Sequence, residues 1–127
     1  MSKSQSSRPV VWVASSQRDL LEMPPEIKSD FGYGLYEVQL GDHPTTGKTL
    51  SGFGGANVVE LKADHQSGTF REVYTVRFAE VIFVLHAFQK KSKKGIETSK
   101  QDIELIKSRL KIAEDLYEKE WKKGKKK

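Results

Sequence analysis

The sequence predicts an α+β domain in which a small antiparallel β-sheet, a meander, packs against two N-terminal helices and one C-terminal helix. Two stretches, one near the start and one near the end of the chain, repeat apolar residues three or four positions apart, as an amphipathic helix does. Between them, three β-rich runs follow one another through connections so short that neighbouring strands must be antiparallel. The length of 127 residues leaves room for one such domain.

The N-terminal part contributes one strand and two helices. Residues 9–14 are a short β-rich run and form the predicted first strand. Ser15 and Ser16 can cap a short helix through residue 23, and the two prolines that follow end it and begin the next. Residues 26–40 then carry one apolar helical face, which consists of Ile27, Phe31, Leu35 and Val38.

The meander occupies the middle of the chain. Residues 41–57 are rich in Gly, Thr and Ser and are predicted to be a loop. Strands are predicted at residues 58–63, 69–78 and 81–88, separated by short turns. The last of them is apolar on both faces, which predicts a position inside the sheet with helices covering it. Residues 89–97 are predicted to be a basic loop.

A long helix ends the domain. Thr98 or Ser99 is its predicted N-cap, with Asp102 three residues after Ser99 as in a capping box. Its apolar stripe consists of Ile103, Ile106, Leu110, Ala113, Tyr117 and Trp121. We therefore divide the chain into a disordered N-terminus at 1–8, a single domain at 9–121 and a basic tail at 122–127.

Charge is distributed unevenly along the chain. From residue 85 to the end there are 14 Lys and Arg against 7 Asp and Glu, a net charge of +7. The residues before it hold 8 and 10, a net charge of −2. A basic end on a near-neutral body is expected of a protein with a polyanionic partner. A solvated tail that serves solubility is the alternative, and composition alone does not separate the two.

Several classes of function are excluded or poorly supported. The chain has no cysteine, which rules out a disulfide scaffold, thiolate zinc sites and a cysteine nucleophile. No apolar run approaches the roughly 20 residues of a membrane span, and we expect a soluble, cytoplasmic protein. Gly47-Lys48-Thr49 is not a P-loop, because five residues rather than four separate it from Gly41.

The histidines give no support for a metal site or a catalytic triad. His43, His65 and His86 fall on a loop, a turn and a strand, with no partner at the spacing of paired ligands. The sequence leaves a Ser-His-Asp triad open but contains no Gly-x-Ser-x-Gly elbow. His86, in an apolar strand, is expected to be a hydrogen-bonded core or edge residue.

One face of the predicted sheet gathers charged side chains. Alternation along two neighbouring strands predicts that Glu60, Lys62 and Arg71 share one open face. The simpler interpretation is a cross-strand salt bridge of Glu60 with Lys62 or Arg71, worth under about 1 kcal/mol if exposed. The loop that follows carries Lys90, Lys91, Lys93 and Lys94 near that face. Lysines held so close repel one another unless solvent or a polyanion screens them, so phosphate binding competes with a merely solvated loop.

Four segments in this order resemble the RelE/ParE toxin superfamily. They are residues 48–52 (KTLSG), 58–62 (VVELK), 70–74 (FREVY) and 84–91 (VLHAFQKK). The last resembles the Leu-His-x-Phe-x-Lys-Lys strand end of the phage-derived, HigB-like branch, which precedes a basic loop and a helix. The resemblance covers about residues 10–113. It implies a RelE-like fold and the toxin of a type II toxin–antitoxin system.

The resemblance also implies an activity and a site. Many such toxins are endoribonucleases that cleave mRNA on the ribosome without a cofactor: the 2′-OH attacks its own phosphate, giving a 2′,3′-cyclic phosphate and a 5′-OH. Arg71 matches the arginine beneath the scissile phosphate, Lys62 a cation near the nucleophile and Lys90 the basic end of the last strand. By analogy Glu60 is a candidate base. The implied RNA-binding residues are Lys48, Lys91, Lys93 and Lys94.

The implied partners are mRNA, the ribosome and a helix-turn-helix antitoxin of the XRE type. The sequence departs from the family after the last strand, where RelE-type nucleases often carry a Tyr or His. Here no aromatic residue follows Phe88 until Tyr117, so the acid step has no assigned residue. Two alternatives stay open: a ParE-like toxin that acts on DNA gyrase without the nuclease residues, and an inactive relative that binds RNA or protein.

Overall fold

The computed structural model of the chain describes residues 7–90 and 98–122. Its elements in chain order are β1 (Val10–Trp12), α1 (Ser16–Leu21), α2 (Pro25–Gln39), β2 (Gly47–Thr49), β3 (Val58–His65), β4 (Gly68–Thr75), β5 (Ile82–Lys90) and α3 (Lys100–Tyr117). A π-helical turn, Glu118–Lys122, follows α3. None of the helices in the described part is long and apolar enough to cross a membrane. The predicted α+β class with two N-terminal helices and one C-terminal helix is confirmed.

The five strands form one sheet in the order β1-β5-β4-β3-β2. Strands β3, β4 and β5 are the predicted antiparallel meander. Strand β1 lies parallel to β5 at the far edge, so the complete sheet is mixed rather than purely antiparallel. The predicted loop at 41–57 is wrong at one point, because residues 47–49 pair with β3 as the short strand β2.

Several strand boundaries also differ from the prediction, and β3 extends to His65 rather than ending at residue 63. Strand β4 ends at Thr75 rather than at residue 78, because the Thr75 hydroxyl donates to the Ala56 carbonyl and accepts the Arg77 N–H, which turns the chain away from the sheet. Strand β5 extends to Lys90, which pairs with Thr69. Gln89 and Lys90 therefore belong to the sheet and not to the predicted loop.

The sheet separates two apolar clusters. On one side lie the predicted stripe of α2 and the inward residues of α1, packed on side chains such as Leu61, Phe70, Tyr74 and Val84. Helix α2 comes close to β3 at Gly34, where an added Cβ would lie 2.9 Å from Leu61 Cδ1. On the other side lie Ile106, Leu110 and Ala113 of α3, as predicted, packed on residues such as Val58, Val73 and Phe83.

Polar contacts fix the start of α3 and the start of the described chain. The side chain of Ser99 accepts the Asp102 N–H, so Ser99 is the N-cap of α3 as the capping-box pattern predicts. At the start of the described chain, the Arg8 guanidinium donates to the Val38 carbonyl at 2.9 Å, and the Gln39 amide donates to the Arg8 carbonyl at 2.7 Å. The division of the chain at 8 and 121 stays a prediction.

Candidate functional site

Five of the predicted site residues lie on one face of the sheet, the face that α3 covers. The strand register pairs Lys48 with Glu60 and Lys62 with Arg71. Directly paired residues point to the same side of a sheet, as do residues two positions apart along a strand. Lys90 lies on the same face, since it pairs with Thr69, two residues before Arg71. The predicted RNA-binding residues Lys91, Lys93 and Lys94 lie outside the described residues.

Glu60 and Arg71 form a buried ion pair at the centre of this face. Arg71 Nη1 lies 2.6 Å from Glu60 Oε1, and the two side chains are only 5% and 3% exposed. The second carboxylate oxygen of Glu60 accepts a hydrogen bond from the Thr98 hydroxyl, just before α3. The expectation that Glu60 and Arg71 lie on an open face is therefore wrong, and the pair is not the weak exposed salt bridge considered above.

The pair is held in place because each strand contributes one partner. Glu60 and Arg71 are diagonal neighbours, one row apart, and side chains of this length bridge the roughly 7–8 Å between diagonal positions. Burying a single charge in this way costs several kcal/mol unless the opposite charge and further hydrogen bonds accompany it. Glu60, with Arg71 on one oxygen and Thr98 on the other, meets that condition.

The lysines surround the pair at the accessible edge of the face. Lys48 and Lys62 are exposed, and Lys90 is partly buried. Lys62 lies directly opposite Arg71, where the Cβ atoms of paired residues are about 5 Å apart. Since Glu60 is the one acidic member among these five side chains, the group carries a net charge of +3. Lys62 is thus the exposed cation of this cross-strand pair and Arg71 the buried one.

A second polar contact on the same face joins β5 to α3. His86 Nε2 lies 2.8 Å from Asp102 Oδ1, and the ring of Phe88 stacks on the imidazole with 4.3 Å between centroids. Burial lowers the pKa of His86, and the hydrogen bond and charge of Asp102 oppose that change. His86 is thus the hydrogen-bonded residue that the sequence predicts, but its partner was not foreseen.

A β-bulge explains why simple alternation along β5 could not place His86. Val73 pairs with His86 and Tyr74 with Val84, which leaves Leu85 as an extra residue. Val84 and Ala87 consequently both face the α2 side although they are three positions apart. The bulge turns His86 toward α3 and Asp102. Nothing in the sequence marks the position of this extra residue.

Glu72 is the buried ionisable residue that the prediction overlooked. It is fully buried on the α2 side of the sheet, between Phe70 and Tyr74 on the same strand face. Within the described residues neither of its carboxylate oxygens has a hydrogen-bond partner. Burial raises the pKa of Glu72 to about 8. Strand alternation alone would have found it, since position 72 falls between two apolar inward positions.

The three histidines are each engaged locally. His43 Nε2 contacts the Gly47 carbonyl at 3.2 Å, and His65 contacts the Ser67 hydroxyl at 2.8 Å and Glu26 at 3.5 Å. His86 is bound to Asp102. Within residues 7–90 and 98–122, His, Cys, Asp and Glu side chains nowhere gather in the groups of three or more that could hold a metal ion.

Solved structures of RelE toxins share this fold. The isolated Escherichia coli RelE toxin has 18% sequence identity and a TM-score of 0.50, with 80% of this chain and 98% of that chain covered. A mutant of the same toxin in its free state has 16% identity and a TM-score of 0.52, with 83% and 96% covered. A chain of the RelBE2 toxin–antitoxin complex from Mycobacterium tuberculosis has 18% identity and a TM-score of 0.48, with 66% and 99% covered.

At these identities the solved structures establish a common fold. No curated protein matches the chain at a significant level. The family model described as "Phage derived protein Gp49-like (DUF891)" matches residues 18–111, which is most of the chain. The resemblance drawn from the sequence is confirmed: the chain belongs to the Gp49-like family of phage-derived proteins and has the fold of the RelE toxins.

Proposed function

We propose that the chain is the toxin of a type II toxin–antitoxin system and that it inhibits translation by cleaving mRNA bound to the ribosome. Family membership and the RelE fold support the toxin assignment. The observation that carries the proposed cleavage is the net positive face on which Lys48, Lys62 and Lys90 surround Arg71. In this proposal the face binds the backbone of a single RNA strand, and Lys48 binds phosphates at its margin.

The proposed reaction is metal-independent transesterification. The 2′-OH of one nucleotide attacks the adjacent phosphorus and the bond to the 5′-oxygen breaks, which gives a 2′,3′-cyclic phosphate and a 5′-OH end. Negative charge develops on the phosphorane oxygens, and fixed cations stabilise it most where water is excluded. Lys62 and Lys90 are the proposed direct contacts. Arg71, which lies opposite Lys62 on the neighbouring strand, is proposed to add its positive charge near the same phosphorane oxygens.

The proposed role of Glu60 follows from its contacts. Both of its oxygens are engaged, one with Arg71 and one with Thr98. A carboxylate in this state is poorly placed to accept a proton from the 2′-OH, since it would first have to release Thr98. We therefore assign Glu60 to the positioning of Arg71, in place of the general base that the family resemblance implies.

The same contacts are also what two competing functions without RNA cleavage would require. Arg71 and Glu60 neutralise each other inside the domain, and a toxin that does not cleave RNA has no need of an accessible arginine at this point. A ParE-like toxin that acts on DNA gyrase, or an inactive RNA- or protein-binding relative, fits a purely structural ion pair. The ribonuclease, the ParE-like toxin and the inactive relative differ in the damage they cause when the protein is produced: cleaved mRNA, broken DNA or neither.

The experiment is induction of the chain alone in bacteria, followed by mapping of RNA 5′ ends and a reporter of DNA damage. Cleavage on the ribosome predicts new 5′-OH ends within coding regions, arrested translation and no SOS response. Double-strand DNA breaks and an SOS response with intact mRNA would replace the nuclease with the ParE-like function. Growth without either effect would leave the inactive relative.

The proposed antitoxin is an XRE-type helix-turn-helix protein, encoded beside the toxin, that neutralises it in the cytoplasm. A net positive face of this kind is suited to an acidic partner surface. Co-expression of the two untagged proteins should restore growth and give one complex on size-exclusion chromatography. The antitoxin assignment fails if the neighbouring protein neither restores growth nor binds at micromolar concentration.

A further inference from the structure

One edge of the sheet is left partly open. Strand β3 has eight residues, but β2 pairs with it only opposite Val59, Glu60 and Leu61. Before β2, the Gly47 N–H donates to the Pro44 carbonyl at 2.9 Å, and this turn carries the chain away from β3. The rest of β3, from residue 62 onward, therefore has β4 on one side and no strand on the other within the described residues.

The backbone of this open segment has groups available for a further strand. The Leu50 N–H donates to the Val58 carbonyl at 2.8 Å, so Val58 directs its backbone groups toward β2. Antiparallel strands alternate in this respect, and the backbone groups of Lys62 and Asp64 consequently point toward the open side. In the part of the chain that the structure describes, no turn or loop hydrogen bond ends on the N–H or carbonyl of either residue.

A groove of about 830 Å³ lies along this edge, between α2 and the turn at 44–46. Its floor consists of residues 61–64, and its helical wall extends from Ser29 to Glu37, a stretch of nine residues and eight helical rises of α2. A helix rises 1.5 Å per residue, so the groove is about 12 Å long. A β-strand rises about 3.3 Å per residue, and a groove of this length accommodates a strand of about four residues.

The groove is acidic and has an aromatic wall. The side chains of Asp30 and Glu37 line it and supply its negative charge. The side chains of Lys62 and Asp64 belong to the opposite face of the sheet, where Asp64 accepts the Thr69 hydroxyl, and only the backbone of these two residues belongs to the groove. Tyr33 also lines the groove and is 65% exposed, which provides an aromatic surface for a cationic side chain.

We propose that this groove binds an extended, basic segment of a partner protein, which adds to the open edge of β3 as a sixth strand. Backbone hydrogen bonds to Lys62 and Asp64 provide the affinity, as in other cases of strand addition, and the acidic lining selects Lys and Arg at alternate positions. The proposal does not depend on the proposed nuclease activity, because the groove faces α2 and the lysine-rich face lies on the other side of the sheet.

The test is a titration of the ¹⁵N-labelled full chain with a capped ten-residue peptide of alternating Lys and Val, and with the matched Glu and Val peptide. We expect the Lys–Val peptide to protect the Lys62 and Asp64 amides from hydrogen exchange at least tenfold and to shift the resonances of the α2 wall. The Glu–Val peptide should do neither. Absence of protection at these two amides with the Lys–Val peptide overturns the proposal.

Two variants separate the groove from general charge attraction. Asp30→Lys/Glu37→Lys reverses the charge of the groove wall and should weaken the binding of the Lys–Val peptide at least tenfold. Glu104→Lys/Asp115→Lys makes the same change of charge at exposed positions of α3 and should leave binding within about twofold. Equal loss in both variants would reduce the effect to net charge. Concentration-dependent protection of the edge without peptide would identify a second copy of the chain as the occupant and would also overturn the proposal.

Discussion

The two faces of the sheet treat buried charge in opposite ways. On the α3 side, Glu60 is bound by Arg71 and Thr98, and His86 is bound by Asp102. On the α2 side, Glu72 lies among apolar side chains, and its oxygens have no hydrogen-bond partner within the described residues. The carboxyl groups of Glu60 and Glu72 are both at least 97% buried and lie on adjacent strands. They differ in what surrounds them.

The comparison shows that partners, rather than burial, decide the charge of a buried group. Burial without a partner raises the pKa of Glu72 to about 8, so that this carboxyl is largely protonated near neutral pH. Glu60 is the carboxylate half of an ion pair, and it holds Arg71 next to Lys62. The α3 side therefore buries charges as bonded pairs, and the α2 side buries a carboxyl within the apolar core.

Removal of Arg71 should have the largest effect on stability. Arg71→Met leaves Glu60 buried without the charge it faces, and breaking a buried pair in this way costs about 3–5 kcal/mol. Urea denaturation at pH 7 measures the loss. Lys62→Met, the same type of change at the neighbouring exposed position, is the matched control and should change stability by under about 0.5 kcal/mol.

The double variant Arg71→Met/Glu60→Leu sharpens this prediction. Replacement of both charges by apolar residues removes the unpaired carboxylate, so most of the lost stability should return. If Arg71→Met is as stable as the parent, the ion pair is not a buried structural contact, and the contrast between the two faces disappears.

Glu72 should make the protein less stable as the pH rises. The unfolded chain releases this proton near the ordinary pKa of 4.5, whereas the folded protein keeps it until about pH 8. Between these values the folded state binds one more proton, and its stability falls by up to about 1.4 kcal/mol per pH unit. Below about pH 4.5 and above about pH 8, the contribution of Glu72 to the free energy of unfolding no longer changes with pH.

The variant Glu72→Met tests this dependence. It removes the titration, so its stability relative to the parent should increase steadily from pH 5 to pH 8, by about 2–4 kcal/mol in total. Thermal or urea denaturation of both proteins across this range provides the measurement. If the stability of the parent and of Glu72→Met changed with pH in the same way, the Glu72 carboxyl would have to be bound to a partner. The two faces of the sheet would then treat buried carboxyl groups alike.

Loss of the contact between His86 and Asp102 should have a smaller effect. Asp102→Ala leaves the buried Nε2 of His86 without its partner, which costs about 1–2 kcal/mol. The backbone cap survives, because Ser99 still accepts the N–H of residue 102, although Asp102→Ala also removes the hydrogen bond that the Ser99 hydroxyl donates to the carboxylate. Ser99→Ala removes the cap instead, at about 1 kcal/mol. The combined variant should lose more than Ser99→Ala alone but less than the sum, since the two side chains share a hydrogen bond. A combined loss no larger than that of Ser99→Ala alone would show that His86 contributes nothing.

The sequence predicted the elements whose pattern is local. The stripe of α2, the capping of α3 by Ser99 and the three strands of the meander depend on residues close together in the chain, and each was found. The parallel position of β1 and the short strand β2 depend on contacts between distant segments. Three residues, Gly47–Thr49, carry too little alternation to identify a strand.

The shared face of the three charged residues was predicted correctly, but its exposure was not, and their roles stay a prediction. Alternation places Glu60, Lys62 and Arg71 on one face correctly. It gives no information on what covers that face, and Thr98 reaches Glu60 from 38 positions away in the chain. The contact of His86 with Asp102 was missed for a related reason, since it depends on a bulge in β5 and on the packing of α3 across the sheet.

Lys62 tests the central claim most directly, because it is the exposed cation opposite Arg71 and its removal should leave the fold intact. The measurement is single-turnover cleavage of mRNA on saturating ribosome complexes, with denaturation curves of each variant beside it. Lys62→Ala should reduce the cleavage rate on the order of 100-fold, as loss of one transition-state donor does. Lys107→Ala, an exposed lysine of α3, should cleave at the parental rate. A folded Lys62→Ala protein that cleaves as fast as the parent would contradict the assignment of this face as the catalytic one.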